Sequence, residues 1–241
     1  MISVQQLTKR FNGFTAVDNI SFTVKQGEIF AFLGPNGSGK TTALKSMVGL
    51  VKPTSGRVLV NGIDVHAHPR DAKLTLSYLP QRVVFPENLT ARELISFFAR
   101  LRGISDEKAF EALEKARFNG FSDKPVGEFS GGMIQRLGLA VVALPDAPIL
   151  LLDEPTASLD PQGVKRFREF VLEQKEQGKT IVFSTHLLAE AEQLADRVGI
   201  FVEGKLVAQE SVASLSAAFE QNKTIEDMYL YFVENYSNES H

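Results

Sequence analysis

Ile29-Phe30-Ala31-Phe32-Leu33-Gly34-Pro35-Asn36-Gly37-Ser38-Gly39-Lys40-Thr41-Thr42 reads as a buried strand, a glycine-rich loop and the first turn of a helix. Five consecutive apolar residues suit a strand covered on both faces of a sheet. Gly34 to Thr41 then matches G-x-x-x-x-G-K-[ST] in its required context, a strand before and a helix after. The glycines let backbone N–H groups converge on phosphate oxygens, and the helix adds its positive N-terminal end. Lys40 is expected at the β- and γ-phosphates and Thr41 at Mg²⁺, with Asn36, Gly37, Ser38, Gly39 and Thr42 completing the cradle. The stretch predicts an α/β protein that holds a nucleoside triphosphate.

Two later runs extend this reading. Ile149-Leu150-Leu151-Leu152 is a second apolar strand, and it ends on Asp153 and Glu154. A strand tip beside a phosphate loop is where a carboxylate that holds Mg²⁺ belongs. Asp153 is expected to hold the metal and Glu154 to polarise the attacking water. About twenty residues earlier, Phe129-Ser130-Gly131-Gly132-Met133 opens a helix. Its glycines expose backbone N–H groups, so it reads either as a second anion site or as a flexible linker.

Hydrophobic periodicity orders the rest. Ile20, Phe22 and Val24 alternate with polar residues, as in a strand with one buried face. Asn61-Gly62 between Val58/Val60 and Ile63/Val65 predicts a hairpin. Leu74 to Leu79 reads as a further strand. From Thr90 the period becomes helical: Thr90-Ala91-Arg92-Glu93 fits a capping box, and Gly103 can end that helix. Ser105 caps a second helix through Arg117, and a third begins at Ser130. After this insert come a helix from Asp160-Pro161 to Gly178, a strand over Thr180 to Ser184, a helix over His186 to Ala195 and a strand over Val198 to Val202. A short amphipathic helix, Thr224 to Phe232, is expected near the end. His66-Ala67-His68 lacks a third ligand and reads as a solvated loop.

Composition narrows the classes. The 241 residues are 44% hydrophobic and 23% charged, ordinary for a globular protein, and the net charge is −3. Nothing in bulk charge points to a nucleic-acid partner. With no cysteine, disulfides and thiolate metal sites are excluded. The first residues lack a signal-peptide pattern, and no apolar run approaches the roughly 20 residues of a membrane span. Any membrane span is therefore expected in another chain.

These motifs have a family's order. The chain resembles the ATP-binding subunits of ABC transporters over nearly its whole length. The resemblance is carried by the phosphate loop, Gln81 after Tyr78-Leu79-Pro80, Ser130-Gly131-Gly132, Asp153-Glu154, Ser158-Leu159-Asp160 and His186. It implies a single α/β domain over 1–241 with a P-loop NTPase core. An antiparallel β region would span about 1–70, a helical subdomain about 85–145 and a C-terminal helical tail about 211–241. It implies ATP and Mg²⁺ as cofactors. It also implies a second ATPase subunit in a homodimer, integral membrane permease subunits, and a place on the cytoplasmic face of the cell membrane.

The same resemblance suggests roles. Gln81 contacts Mg²⁺ and the attacking water, and Ser130, Gly131 and Gly132 bind the γ-phosphate held by the other subunit. Asp160 touches the opposite subunit, His186 positions Glu154, and Phe11 stacks on adenine. Phe11 stands where Tyr is common in the family; the signature carries Phe129 where Leu is usual and Met133 where Gln is frequent. Val83-Val84-Phe85-Pro86 is expected to help form a groove for the membrane subunit. Met133 and Ile225-Glu226-Asp227-Met228-Tyr229 look like exporter-type subunits. Residues 79 to 90 also look like the ATPases that serve nitrous oxide reductase copper-site maturation. A soluble ABC-type ATPase acting on ribosomes or DNA is the alternative, but such proteins carry two cassettes or a long coiled-coil insert. Only about fifty positions separate Gln81 from Ser130. A P-loop phosphotransferase would leave Ser130-Gly131-Gly132 and His186 without a role.

Overall fold

A computed structural model describes residues 1–214 and 229–230. Its centre is a six-stranded sheet whose spatial order is β10 (Lys205–Ser211), β9 (Arg197–Val202), β3 (Ile29–Leu33), β8 (Thr180–Thr185), β7 (Ile149–Asp153) and β6 (Leu76–Leu79). All neighbours are parallel except β10, which returns antiparallel to β9 after the Glu203-Gly204 turn. Every residue of β3, β7 and β8 is buried, which is why residues 29–33, 149–152 and 181–183 are apolar without alternation. Parallel strands finish on one edge of the sheet. The ends of β3, β6, β7 and β8 thus bring Gly34, Gln81, Glu154 and His186 to the same side, where ligands bind in open α/β sheets.

The second sheet is antiparallel, ordered β2 (Phe14–Val24), β1 (Ile2–Phe11), β4 (Ser55–Val60) and β5 (Ile63–Asp64). Asn61-Gly62 turns β4 into β5 with φ of 49° and 82°, the left-handed pair that a two-residue hairpin needs. The same chemistry at Asn12-Gly13 joins β1 to β2, a hairpin the periodicity did not single out. The expected antiparallel region over 1–70 is corrected in one respect: β3 and the helix α1 (Lys40–Met47) lie within it but build the parallel core. Phe22 of β2 packs on Phe30 and Phe32 of β3, and Phe201 of β9 joins them with ring centroids 4.8 to 5.7 Å apart. Ala43, Leu44 and Met47 of α1 belong to the same core. Each such large buried side chain contributes about 1.5–3 kcal/mol relative to exposure, so the phosphate loop stands on a rigid base.

The insert is helical, with α3 (Ala91–Leu101), α4 (Asp106–Lys115) and α5 (Gly131–Ala143). Thr90 and Glu93 form the reciprocal capping box at the start of α3. Leu94, Ile95, Leu113, Phe118, Val126, Phe129 and Leu137 make its separate core. Leu74 closes a short helix, α2 (Pro69–Leu74), rather than opening a strand; β6 begins at Leu76. Pro69 stands at the first helical position, where its missing N–H is no loss. His66 is only partly the solvated residue expected, since its Nε2 lies 3.0 Å from the carbonyl of Ser46. The helices α6 (Pro161–Glu176) and α7 (Leu188–Leu194) cover the sheet beside β8. The tail helix expected over 224–232 lies outside the described residues, Tyr229 and Leu230 excepted.

Candidate active site

The glycine loop wraps the end of β3 tightly. At Gly39, which caps α1, φ is 105° and an added Cβ would stand 2.5 Å from the carbonyl oxygen of Ala16. Neither the angle nor the space admits a side chain. Ser38 is buried, yet its Oγ has no hydrogen-bond partner among the described residues. A buried hydroxyl without a partner is a feature native folds avoid unless a ligand completes it. Lys40 is also buried, and its Nζ donates to the carbonyls of Gly34 (2.6 Å) and Pro35 (3.0 Å). Burial pulls the Lys40 ammonium below its ordinary pKa, while Glu154 and Asp153 act in the opposite direction.

Two acids meet the loop from the end of β7. Asp153 is wholly buried; its Oδ1 accepts from Thr41 Oγ1 at 3.0 Å and from Ser184 Oγ at 2.7 Å. Its Oδ2 accepts from the Tyr78 hydroxyl at 3.3 Å. Burial, followed by the Asp153 charge, raises the Tyr78 pKa, so this phenol stays a donor. Glu154 sits at φ 45°, a left-handed conformation uncommon outside glycine, and its N–H donates to Ser184 Oγ at 2.9 Å. Its two oxygens diverge: Oε1 lies 3.4 Å from Lys40 Nζ, and Oε2 lies 2.8 Å from His186 Nδ1. His186 is half-exposed while Glu154 is 5% exposed, so the imidazole roofs a buried carboxylate.

A cleft of about 350 Å³ opens over these groups. Of the sequence-predicted residues it brings together Phe11, Asn36, Gly37, Ser38, Gly39, Lys40, Thr41, Thr42, Gln81 and Glu154 along its wall. Asp153 lies behind Thr41, and His186 adjoins Glu154. Ser130, Gly131, Gly132 and Asp160 do not line it. Ser130 instead caps α5, accepting from the N–H of Met133 at 3.3 Å, and Gly131 and Gly132 face the Ser158-Leu159 loop. Asp160 caps α6 through the Gly163 N–H at 2.7 Å. The start of α5 is therefore exposed at Ser130 and Gly131 and does not line the cleft of its own chain.

The sequence model described as ABC transporter matches residues 17–157. The chain belongs to the ABC transporter family. It is similar to the bacitracin transport ATP-binding protein BcrA of Bacillus licheniformis, 41% identical over 211 residues that cover 87% of this chain and 69% of that one. It is also similar to the Nod factor export ATP-binding protein I of Burkholderia lata, 39% identical over 212 residues, 86% of this chain and 70% of that one. Among solved structures, a dimeric ATP-binding cassette in a post-hydrolysis state bound to ADP and Pi superposes with a TM-score of 0.80. It is 26% identical and covers 88% of this chain and 99% of the other. As an ABC-family member the chain is an ATP-binding subunit and an ATP hydrolase with the α/β fold of that cassette.

Sequence reasoning about this ABC ATPase missed several residues. Ser184 read only as the end of a strand, although its hydroxyl joins Asp153 to Glu154. Tyr78 read as part of the segment leading to Gln81, not as a donor to Asp153. Phe14 is 64% exposed, pairs in register with Phe11 and lines the cleft. The Asn12-Gly13 turn was the signal that could have found it, since directly opposed residues of a hairpin share a face. Nothing local marks Ser184; its role depends on which strand stands beside β7.

Proposed function

We propose that this chain is the cytoplasmic ATPase subunit of an exporter, peripheral on the membrane, and that two copies close around two ATP molecules. The observation that carries the reading is the split site. One cleft gathers the phosphate loop, Gln81 and Glu154, while the exposed start of α5 at Ser130 does not line it. A second copy would apply its Ser130 hydroxyl and the N–H groups of Gly131 and Gly132 to the γ-phosphate, and its Asp160 would meet the first chain across the seam. The dimeric cassette to which the chain is similar supports this arrangement.

Within each cleft the residues have separable tasks. Phe11 offers its ring to adenine, with Lys9 Nζ 4.6 Å from the ring centroid. The loop from Asn36 to Thr42 receives the phosphates, and Ser38 Oγ gains the partner it lacks among the described residues. Lys40 moves from its loop carbonyls to the β- and γ-phosphates. Thr41 Oγ1 and Asp153, hard oxygen donors 3.0 Å apart, fit Mg²⁺, with Gln81 at the rim as a further contact. Mg²⁺ bound there would neutralise charge developing on the β- and γ-phosphate oxygens. Glu154 orients the water that attacks the γ-phosphorus and draws its proton. His186 holds Glu154 and donates to the γ-phosphate. The bond from the γ-phosphorus to the bridging oxygen breaks, and ADP and phosphate leave. Phosphoryl transfer depends on positioning and charge stabilisation more than on covalent help.

Among the described residues no helix is long and apolar enough to cross a membrane, so separate permease subunits would carry the cargo. Val84, Phe97 and Leu101, all more than half exposed near Gln81 and on α3, suit the groove for a permease helix. Export is supported by the likeness to the bacitracin transport and Nod factor export proteins; the narrower likeness to copper-maturation ATPases rests on residues 79 to 90 alone. The test is Glu154→Gln with ATP and Mg²⁺ in light scattering. A stable dimer that traps ATP is expected. A variant that binds ATP yet stays monomeric at saturation refutes the closure of two copies.

A further inference from the structure

The helix that begins at Ser130 also bears on the chemistry of its own chain. Gln135, just beyond the first turn of α5, is 4% exposed, and its Nε2 donates to the carbonyl of Pro155 at 2.8 Å. Pro155 directly follows Glu154 and is itself buried. Proline has no N–H, so this carbonyl is its only backbone polar group, and Gln135 is the donor that satisfies it. One turn further along α5, Gly138 allows close approach. A Cβ there would lie 2.9 Å from Leu79 Cδ1 and 3.1 Å from Val83 Cγ2, the residues that flank Gln81. A Cβ added at Gly131 or Gly132 would find its nearest neighbours in Ser158 and Leu159, at 3.8 to 3.9 Å. Gln135 thus makes a directed polar tie between α5 and the Glu154 loop.

We infer that Gln135 is a positioning residue that couples the half-site at Ser130–Gly132 to the orientation of Glu154 in the same chain. The inference rests on the closed-pair reading. There, the start of α5 touches the ATP held by the partner, while Pro155 borders the Glu154 that acts on the chain's own ATP. A helix of 13 residues is a stiff rod about 20 Å long. Seating its first turn against a γ-phosphate would move Gln135 with it, and the bond to Pro155 would draw the Glu154 loop into line. Each Glu154 would then be set when the ATP bound by the partner's phosphate loop is in place. Two sites so linked hydrolyse ATP cooperatively.

The experiment uses the full chain and Gln135→Leu, which keeps the bulk of the side chain and loses the donor, alongside Gln135→Glu, which keeps its shape and loses the donor. Glu154→Gln is combined with each for the dimer assay. The expected result is an unchanged ATP dissociation constant and unchanged ATP-driven dimerisation in the Glu154→Gln background. Turnover should fall about tenfold, with a Hill coefficient for ATP dropping towards one. Wild-type turnover and cooperativity in Gln135→Leu overturn the inference. So does a joint loss of ATP binding and turnover in both variants, which would mark Gln135 as structural support alone. If Glu154→Gln by itself fails to dimerise, the closed-pair reading fails; if it dimerises and only the Gln135 result is contrary, this inference alone fails.

Discussion

Replacing Ser184 with alanine removes one hydroxyl from a fully buried position between two acids. Ser184 Oγ donates to Asp153 Oδ1 at 2.7 Å and accepts from the Glu154 N–H at 2.9 Å. Alanine leaves that N–H buried without an acceptor, a loss of about 1–3 kcal/mol, and takes a charge-assisted bond of about 1.5–3 kcal/mol from Asp153. Both effects pass through one atom and are not fully additive, so a net destabilisation of about 2–4 kcal/mol is expected. Glu154 also sits at φ 45°, a strained conformation that neighbours must hold at about 1–3 kcal/mol. With its N–H released, part of that strain can relax and the carboxylate drifts from Lys40 and His186. At about 1.4 kcal/mol per tenfold, turnover should fall about 10- to 100-fold. ATP affinity should change little, because the phosphate loop keeps its contacts. Urea denaturation with an unchanged slope measures the first effect, and steady-state phosphate release measures the second. A stability change under about 0.5 kcal/mol together with wild-type turnover would refute the role given to Ser184.

Three further perturbations probe other parts of the molecule. Gly39→Ala meets both a φ of 105° and the Ala16 carbonyl 2.5 Å from its Cβ; the conformational penalty alone is about 1–2 kcal/mol, and calorimetry should show a lowered melting temperature and no ATP binding by titration. Thr90→Ala breaks the capping box of α3, and about 1 kcal/mol of stability should disappear with turnover intact; a fall in turnover at full ATP occupancy would contradict it. Glu190 on α7 is 2% exposed, and neither oxygen has a well-formed hydrogen bond among the described residues. Burial pushes its carboxyl up, with the Thr185 and Thr156 hydroxyls and Arg168 opposing and Glu154 assisting. The native state then keeps a proton that the unfolded chain releases, so stability falls as pH rises from the ordinary glutamate range towards the raised value. Glu190→Gln should remove that fall, seen as urea midpoints less dependent on pH above the ordinary glutamate range; an unchanged pH dependence would count against it.

Local signals carried much of this protein because local physics produces them. The phosphate loop is legible since glycine, lysine and threonine are needed at set offsets between a buried strand and a helix. Asn61-Gly62 is legible because two successive left-handed residues exclude most side chains. Thr90-Ala91-Arg92-Glu93 is legible because a helix start must satisfy its own N–H groups. Leu74 misled because an apolar residue before a short buried strand extends its pattern, while Pro69 four residues after Val65 already favoured a helix. Ser184, Tyr78 and Gln135 carried no such mark, because a serine at a strand end or a glutamine in a helix has no chemistry until a partner is beside it.

The sequence by itself determined the kinds of element and the ligand chemistry of the first loop, since dihedral preference, periodicity and phosphate geometry act over a few residues. The tertiary structure decided which strands are neighbours. Because β7 lies beside β8, Asp153 and Glu154 share Ser184. Because β3 and β7 both end on the edge where β8 ends, Lys40, Glu154 and His186 form one chain of contacts across segments more than a hundred residues apart. It also decided that Ser130 begins a helix outside that cleft. Hydrogen bonds reach only about 3 Å, so proximity between distant segments is set by sheet order and core packing, which no local window contains.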